Sequence, residues 1–245
     1  MRLVTWNIHR GIGGLDRRYA PGRLAAVLRH YDADVLVLQE VDDDVPRSSG
    51  DRQVDLLGDL LDYPYRAYGP NVWLKRGCYG NATLSRYPIK RSRNLDITFP
   101  MKKNRGALFT ELEVPVNGHH YTTHIMNVHL GLSGVERRWQ VRKMLTSRPL
   151  RSLDHGSRIV VAGDTNDWSG ALPRGQLRQA GFACVTGYGA HASRTFPAWG
   201  PVGALDRVFI RGGVACKHHF SSRLALAKRA SDHLPVIVDL EVEAG

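Results

Sequence analysis

Polar residues that could bind a metal ion or transfer a proton follow directly after apolar segments of this chain. In one such segment, residues 159–162 (IVVA) are followed by Gly163, Asp164 and Asn166. A short apolar run that is rich in β-branched residues and stops at Gly is typical of a buried strand. The carboxylate and the carboxamide would then lie at the rim of a sheet. Oxygen atoms held there could coordinate a hard cation or activate a water molecule.

Similar groups occur at the ends of other apolar segments. An Asn ends LVTWN, a Glu ends VLVLQE, a His ends IMNVH, an Asp follows AL in ALDRVFI, and an Asp-His pair precedes LPVIV. These residues are Asn7, Glu40, His129, Asp206, Asp232 and His233. Taken singly, each has an ordinary structural explanation, such as a turn, a surface ion pair or a hydrogen-bonded core histidine. Their recurrence within one chain favours a shared site.

The ordered set of these segments resembles the endonuclease/exonuclease/phosphatase superfamily, which includes deoxyribonuclease I. The match runs through WN, LQE, NVHL, GDTN, LDRVF and SDH, across nearly the whole chain. GDTN alone is a weak motif, whereas the ordered set is specific. The resemblance implies an α/β fold, a four-layer sandwich of two stacked, mostly antiparallel sheets flanked by helices, with the site at one edge. The short length and the segment NVHLGLSGVERRWQ are most similar to short bacterial metal-dependent hydrolases of that group.

The pattern of apolar residues predicts more strands than helices. A helix is predicted behind Pro21, where apolar residues recur at helical spacing as far as Tyr31. Further helices are predicted over residues 51–61, 135–150 and 172–180. Asn117 and Gly118 predict a hairpin turn between two strands. Because no linker, repeat or low-complexity tract interrupts the chain, we expect residues 1–245 to form a single domain.

A divalent cation is the cofactor that phosphodiester chemistry calls for, because it neutralises charge on the phosphate and on the leaving oxygen. Glu40 is the first choice of ligand, with Asn7 and Asp232 completing the oxygen donor set. Oxygen ligands without sulfur favour Mg²⁺, with Mn²⁺ as a substitute, over Zn²⁺. By the same resemblance, Arg105 in NRGALFTEL and Asn81 in YGNATLSRYPI fall where the family often places phosphate-contacting groups.

The resemblance also implies catalytic roles. Asp164 would deprotonate the attacking water, and Asn166 would orient that water or the phosphate. Asp206 and His233 would form a pair whose imidazolium stabilises the transition state, or, as in deoxyribonuclease I, act as the general base. His129 matches a histidine that donates to the phosphate or to the leaving group.

The strong basicity of the chain has two explanations of equal weight. A net charge of +11 suggests a polyanionic partner, such as nucleic acid, or an anionic surface. No run of basic residues is longer than two, so a general preference for arginine codons would explain the charge as well. Tyr188, Phe196 and Trp199 could stack on bases, although each could equally pack a loop.

The leading hypothesis is a Mg²⁺-dependent phosphoesterase that hydrolyses a phosphodiester, with nucleic acid favoured. A phospholipid or an inositol phosphate is the alternative substrate. A nucleic-acid-binding protein without catalysis ranks lower, because every site position is present. The chain has 3 cysteines without a CxxC pair, and no apolar run approaches the roughly 18 residues of a membrane span. We therefore expect a cytoplasmic protein without a transmembrane segment, and a monomer.

Overall fold

The computed structural model describes residues 1–243 and contains two six-stranded sheets. From edge to edge, the first sheet consists of Val214–Ser221 (β11), Val236–Val242 (β12), Arg2–Asn7 (β1), Val35–Asp43 (β2), Cys78–Ser85 (β4) and Tyr65–Trp73 (β3). The second consists of Ile89–Asp96 (β5), Gly106–Val116 (β6), His119–His129 (β7), Arg158–Asp164 (β8), Asp206–Arg211 (β10) and Ala183–Cys184 (β9). The pairs β1/β2 and β7/β8 are parallel, and the other neighbours are antiparallel.

Helices cover the outer faces of both sheets. They are Pro21–Tyr31 (α1), Gln53–Leu60 (α2), Gly134–Leu145 (α3), Arg148–Arg151 (α4), Gln176–Gln179 (α5) and Ala225–Ala230 (α6). Residues of α1, α2 and α6 share a core with the outer face of the first sheet, and residues of α3, α4 and α5 share one with the second. A third core lies between the sheets. The predicted four-layer sandwich is therefore confirmed.

The central strands read as continuous apolar runs because both of their faces are buried. In β2, Val35 and Val37 face the core between the sheets, whereas Leu36 and Leu38 face the helices. Successive side chains of a strand point to opposite faces, so a strand with cores on both sides needs an apolar residue at every position. The hairpin between β6 and β7 turns at Asn117 and Gly118, as predicted, with both φ angles positive, at 51° and 80°.

Two of the predicted helices are each divided into two segments in the structure. The helix expected over residues 135–150 is divided into α3 and α4 at Thr146 and Ser147. Ser147 is extended, with a ψ of 151°, and Pro149, which has no backbone N–H to donate, lies in the first turn of α4. The helix expected over residues 172–180 is a three-residue 3₁₀ turn at Leu172–Arg174 followed by α5. Among the described residues, no helix is both long and apolar enough to cross a membrane.

Arg137 of α3 is buried, whereas Arg138 and Arg142 on the same helix are exposed. Arg137 Nη1 donates a hydrogen bond to the carbonyl oxygen of Leu132 (2.6 Å), and Nη2 lies 3.5 Å from Asp167 Oδ1. Helical spacing showed which residues share a face, but it did not show that the loop after β8 folds over the start of this helix.

Candidate active site

The end of the first sheet brings Asn7 and Glu40 to one edge. Because β1 and β2 are parallel and Asn7 pairs with Gln39, Asn7 and Glu40 lie at neighbouring positions of the two strands. The register between β2 and β4 shifts between Leu38 and Val41, and Glu40 within this bulge has a φ of 55°. A bulge redirects a side chain out of the strand's regular alternation. Glu40 is therefore held by a local irregularity of the strand.

The second sheet supplies three more polar residues at its corresponding edge. The parallel pairing of β7 and β8 sets His129 opposite Asp164. Because β10 is antiparallel to β8, it begins where β8 ends, and Asp206 pairs with Asp164. Ser231 donates from Oγ to the carbonyl oxygen of Asn7 (2.7 Å), which ties the segment before β12 to the first sheet.

Asp164 lies at the centre of the cluster. Its Oδ2 atom accepts a hydrogen bond from Asn7 Nδ2 (3.0 Å) and lies 3.4 Å from His129 Nε2 and 3.8 Å from His233 Nε2. Its Oδ1 atom accepts from the backbone N–H of Asn166 (3.0 Å). Burial raises the pKa of Asp164 to about 6, although the positive charge of His233 and the bond from Asn7 oppose that rise.

His233 is held between two carboxylates. Its Nδ1 atom lies 2.8 Å from Asp206 Oδ2, which also accepts a hydrogen bond from Thr195 Oγ1 (2.5 Å). Burial alone would lower the pKa of His233, but the charges of Asp206 and Asp164 and the bond to Asp206 outweigh it and raise this pKa to about 10. The ring is therefore an imidazolium at neutral pH. The ligand atoms of Asp164, Asp206 and His233 lie within 4.8 Å of one another, close enough to share a cation as well.

His129 differs from His233 in charge. Burial lowers the pKa of His129 well below its usual range, and the cations of Arg105, Lys103 and Arg10 lower it further. The ring is therefore neutral, and its 3.4 Å contact with Asp164 is not an ion pair. A neutral imidazole can donate one N–H, so His129 offers a hydrogen bond without adding charge.

Arg105 is a buried cation without a compensating anion. Only 8% of the residue is exposed. Its Nε atom has no hydrogen-bond partner, and its guanidinium forms no ion pair, among residues 1–243. A buried charge of this kind destabilises a protein unless a ligand compensates it. This arrangement suits a residue that binds an anion.

The three residues expected to bind a metal ion belong to the first-sheet side of the site. Glu40 Oε2 lies 2.6 Å from Arg10 Nη2, yet the two groups are not aligned as a hydrogen bond, and this buried oxygen has no hydrogen-bond partner in the described part of the chain. Asp232 is partly exposed, and its Oδ1 atom lies 3.9 Å from His9 Nδ1. Two carboxylates, one of which has an oxygen without a hydrogen bond, and the carboxamide of Asn7 fit the oxygen preference of Mg²⁺.

The carboxamides of Asn81 and Asn166 serve the fold in a way that the sequence did not predict. Asn81 Nδ2 donates to the carbonyl oxygens of Gly106 (3.1 Å) and Asn127 (3.2 Å). Asn166 Nδ2 donates to the carbonyl oxygen of Leu130 (2.9 Å), and its φ of 49° places it in the left-handed region. These amide nitrogens hold the backbone of the site, so the roles predicted for both residues stay predictions.

Sequence reasoning missed the residues that join the two sheets below the site. Asn127 Nδ2 donates to the carbonyl oxygens of Leu38 (3.0 Å) and Ala82 (2.9 Å), and Gln39 Nε2 donates to Asn127 Oδ1 (2.9 Å). Asn127 and Gln39 lie inside the motifs NVHL and LQE, next to residues that were selected. The motifs thus contained the signal, but only the packing of the sheets shows what these amides bind. Thr195, which donates to Asp206, had no comparable signal.

The arrangement of motifs and strands corresponds to a known family. The model of the Endonuclease/Exonuclease/phosphatase family matches residues 4–233. The chain belongs to this family. It is also 31% identical over 256 residues to the uncharacterized protein YbhP of Escherichia coli (strain K12), covering 98% of this chain and 96% of YbhP.

Solved structures share the architecture over nearly the whole chain. An endonuclease/exonuclease/phosphatase from Beutenbergia cavernae superposes with a TM-score of 0.83 at 25% identity, covering 99% of this chain and 71% of that one. A mannosyl-6-phosphatase of Bacteroides thetaiotaomicron superposes with a TM-score of 0.70 at 15% identity, covering 98% and 99%. D. rerio TDP2 complexed with single strand DNA product has a TM-score of 0.70 at 20% identity, covering 98% of both chains. At these identities the last two show the fold alone.

Proposed function

We propose that this protein is a metal-dependent phosphoesterase that hydrolyses a phosphodiester, with nucleic acid as the favoured substrate. The proposal rests on the buried carboxylate of Asp164, which lies between the neutral imidazole of His129 and the imidazolium of His233. Arg105, which forms no ion pair within residues 1–243, lies near His129. A carboxylate can accept a proton from water, and cationic donors can stabilise the charge that a phosphate develops.

Each side chain then has a part in the reaction. Asp164 accepts the proton of the attacking water. Asp206 orients His233, whose imidazolium donates to a non-bridging phosphate oxygen. His129, which is neutral, donates its N–H to the phosphate or to the leaving oxygen. Arg105 pairs with the negative charge of the phosphate. These assignments favour Asp164 over the Asp206 and His233 pair as general base, because an imidazole flanked by two carboxylates retains its proton.

Mg²⁺, or Mn²⁺ in its place, would be held by Glu40, Asn7 and Asp232. When bound, such an ion neutralises phosphate charge and lowers the pKa of a coordinated water. The Glu40 oxygen supports this assignment, because it forms an ion pair with Arg10 but no hydrogen bond within the described residues. Isothermal titration of Mn²⁺ into Glu40→Gln should show an affinity at least about tenfold weaker than in the wild type. An unchanged affinity would place the ion elsewhere.

Nucleic acid is favoured by the net charge of +11 together with aromatic side chains near the catalytic residues. D. rerio TDP2, which shares this fold, is complexed with a single strand DNA product in its structure. A phospholipid or an inositol phosphate carries the same phosphate chemistry and is the second candidate, since cations such as Arg10, beside Glu40, would also bind its headgroup.

Purified protein should be assayed with Mg²⁺, Mn²⁺ or EDTA against plasmid DNA, an RNA oligonucleotide, bis-p-nitrophenyl phosphate and phosphatidylinositol vesicles. We expect cation-dependent hydrolysis of a nucleic acid and of the small diester, abolished by EDTA and by Asp164→Asn. Full activity in EDTA would overturn metal dependence. Turnover of the lipid alone would replace nucleic acid with the second candidate.

A further inference from the structure

Three cationic side chains surround a single aromatic ring beside the candidate active site. Arg10 Cζ lies 5.3 Å, Arg47 Cζ 5.2 Å and Lys103 Nζ 5.2 Å from the ring centroid of Tyr79. They come from three separate segments of the chain, after β1, after β2 and before β6. We refer to Tyr79, Arg10, Arg47 and Lys103 as the Tyr79 cluster.

The Tyr79 cluster borders the catalytic residues on the side of the first sheet. Arg10 belongs to both, because its guanidinium also contacts Glu40 (2.6 Å). Tyr79 pairs with Asp42 in the ladder between β2 and β4, two residues beyond Glu40. Lys103 precedes the buried Arg105 by two residues. The cluster therefore continues the cationic surface outward from the position proposed for the scissile phosphate.

The backbone holds Arg10 in place. His9, Arg10 and Gly11 have positive φ angles of 45°, 61° and 74°. Consecutive left-handed residues are unfavourable for His and Arg, so surrounding contacts must maintain this turn. Gln53 Nε2 donates to the carbonyl oxygen of Arg10 (2.7 Å) and provides one such contact. The side chain is thus presented by a constrained loop.

Positive charge exceeds negative charge in this part of the surface. Arg47 forms two hydrogen bonds with the buried Asp42 (2.9 and 2.7 Å), and Arg10 faces Glu40. Lys103 forms no ion pair within residues 1–243, and neither does Arg105. The three cations of the Tyr79 cluster thus face two carboxylates, an excess that an anionic ligand would offset.

We propose that the Tyr79 cluster binds a second phosphate, adjacent to the scissile one, in a nucleic acid strand. Guanidinium and ammonium groups match phosphate oxygens in geometry and charge. A strand is favoured over a lipid because the exposed Trp168 packs against Phe196, which contacts His233 on the other side of the site, where bases could stack. The inference rests on the proposed function, since it assumes that a phosphate occupies the catalytic centre.

The kinetic test compares the dinucleotide TpT with pTpT and TpTp, which carry an extra phosphate at one end or the other. We expect the wild type to cleave one of the two phosphorylated forms with a kcat/KM about tenfold above that of TpT. Lys103→Met should reduce this ratio about fivefold. Lys102→Met, the neighbouring lysine that does not contact Tyr79, is the matched control and should retain the ratio. Equal rates for all three dinucleotides, or equal losses in both variants, would overturn the subsite.

A binding test separates failure of the subsite from failure of the proposed function. Fluorescence anisotropy of labelled oligothymidylate in EDTA requires no turnover, and Lys103→Met should reduce the slope of log affinity against log salt by about 0.7 relative to Lys102→Met. If the dinucleotides resist hydrolysis with Mg²⁺ and Mn²⁺ while this slope falls, the proposed reaction is wrong and the subsite stands. An unchanged slope overturns the subsite. Binding to phosphoinositide vesicles but not to the oligonucleotide would overturn a nucleic acid as its ligand.

Discussion

The two sides of the candidate active site differ in chemistry. The cationic side consists of Arg105 and the Tyr79 cluster. The aromatic side consists of Trp168, Phe196 and Trp199. The Phe196 ring lies 4.9 Å from the His233 ring and packs edge-on against Trp168 at 5.8 Å. Trp168 and Trp199 are 58% and 63% exposed.

This difference separates two kinds of recognition around one catalytic centre. Charged groups bind phosphates through an attraction that salt weakens, because binding releases counterions. Aromatic faces bind planar or apolar groups through stacking, which salt affects little and which tolerates many base sequences. A ligand that spans both sides would alternate anionic and planar groups, as a nucleic acid strand does. Substitutions on the two sides should therefore be distinguishable by their salt dependence.

The largest effect is expected from Asp164→Asn, which alters the centre that both sides serve. The change keeps the size of the side chain and removes the proton acceptor, so we expect turnover to fall by roughly 10² to 10⁴. Oligonucleotide affinity and its salt slope should stay near the wild-type values. Single-turnover rates and anisotropy on the same preparation check both. Normal turnover would mean that Asp164 has only a structural role.

Arg105→Met should have opposite effects on activity and stability. Loss of the buried cation beside the phosphate should lower kcat/KM by about 10². Because the residue is largely buried, its Nε atom has no hydrogen-bond partner and the guanidinium has no compensating anion, its removal should raise the free energy of unfolding by about 1 kcal/mol. Urea unfolding and steady-state kinetics measure the two quantities. A fall in stability would show that this charge is compensated within the folded protein.

Trp168→Ala tests the aromatic side alone. Loss of one stacking surface should weaken oligonucleotide binding about tenfold and leave the salt slope unchanged, in contrast to Lys103→Met. Tyr65→Ala is a suitable control, because Tyr65 is exposed and pairs with Ser85 at the opposite end of the first sheet. A reduced slope in Trp168→Ala would remove the distinction between the two sides.

Val161→Ala should have the smallest effect on activity. Val161 is buried in β8 on the face that packs against the helices, so loss of two methyl groups should cost on the order of 1 to 3 kcal/mol of folding free energy. Turnover per folded molecule should be retained on both single-phosphate and oligonucleotide substrates. Thermal melts beside rate measurements provide the check. A selective loss with one class of substrate would show that this strand also sets the geometry of one side.

The sequence by itself determined the strands and the set of polar residues at their ends. Buried strands such as β1, β2 and β8 require apolar residues on both faces. A continuous apolar run that stops at Asn7 or Asp164 is therefore visible in the sequence alone. The ordered motifs also predicted the four-layer fold, through their resemblance to the endonuclease/exonuclease/phosphatase superfamily. These features are local and periodic.

The tertiary structure decided how those groups are paired and charged. No local sequence pattern indicates that Arg105 is buried without an anion. The same is true of the hydrogen bonds that the Asn81 carboxamide donates across the two sheets. The Tyr79 cluster joins three segments that are distant along the chain. Charge state and hydrogen bonding depend on neighbours in space, and the burial that shifts a pKa or isolates a cation exists only after the sheets and loops have packed together.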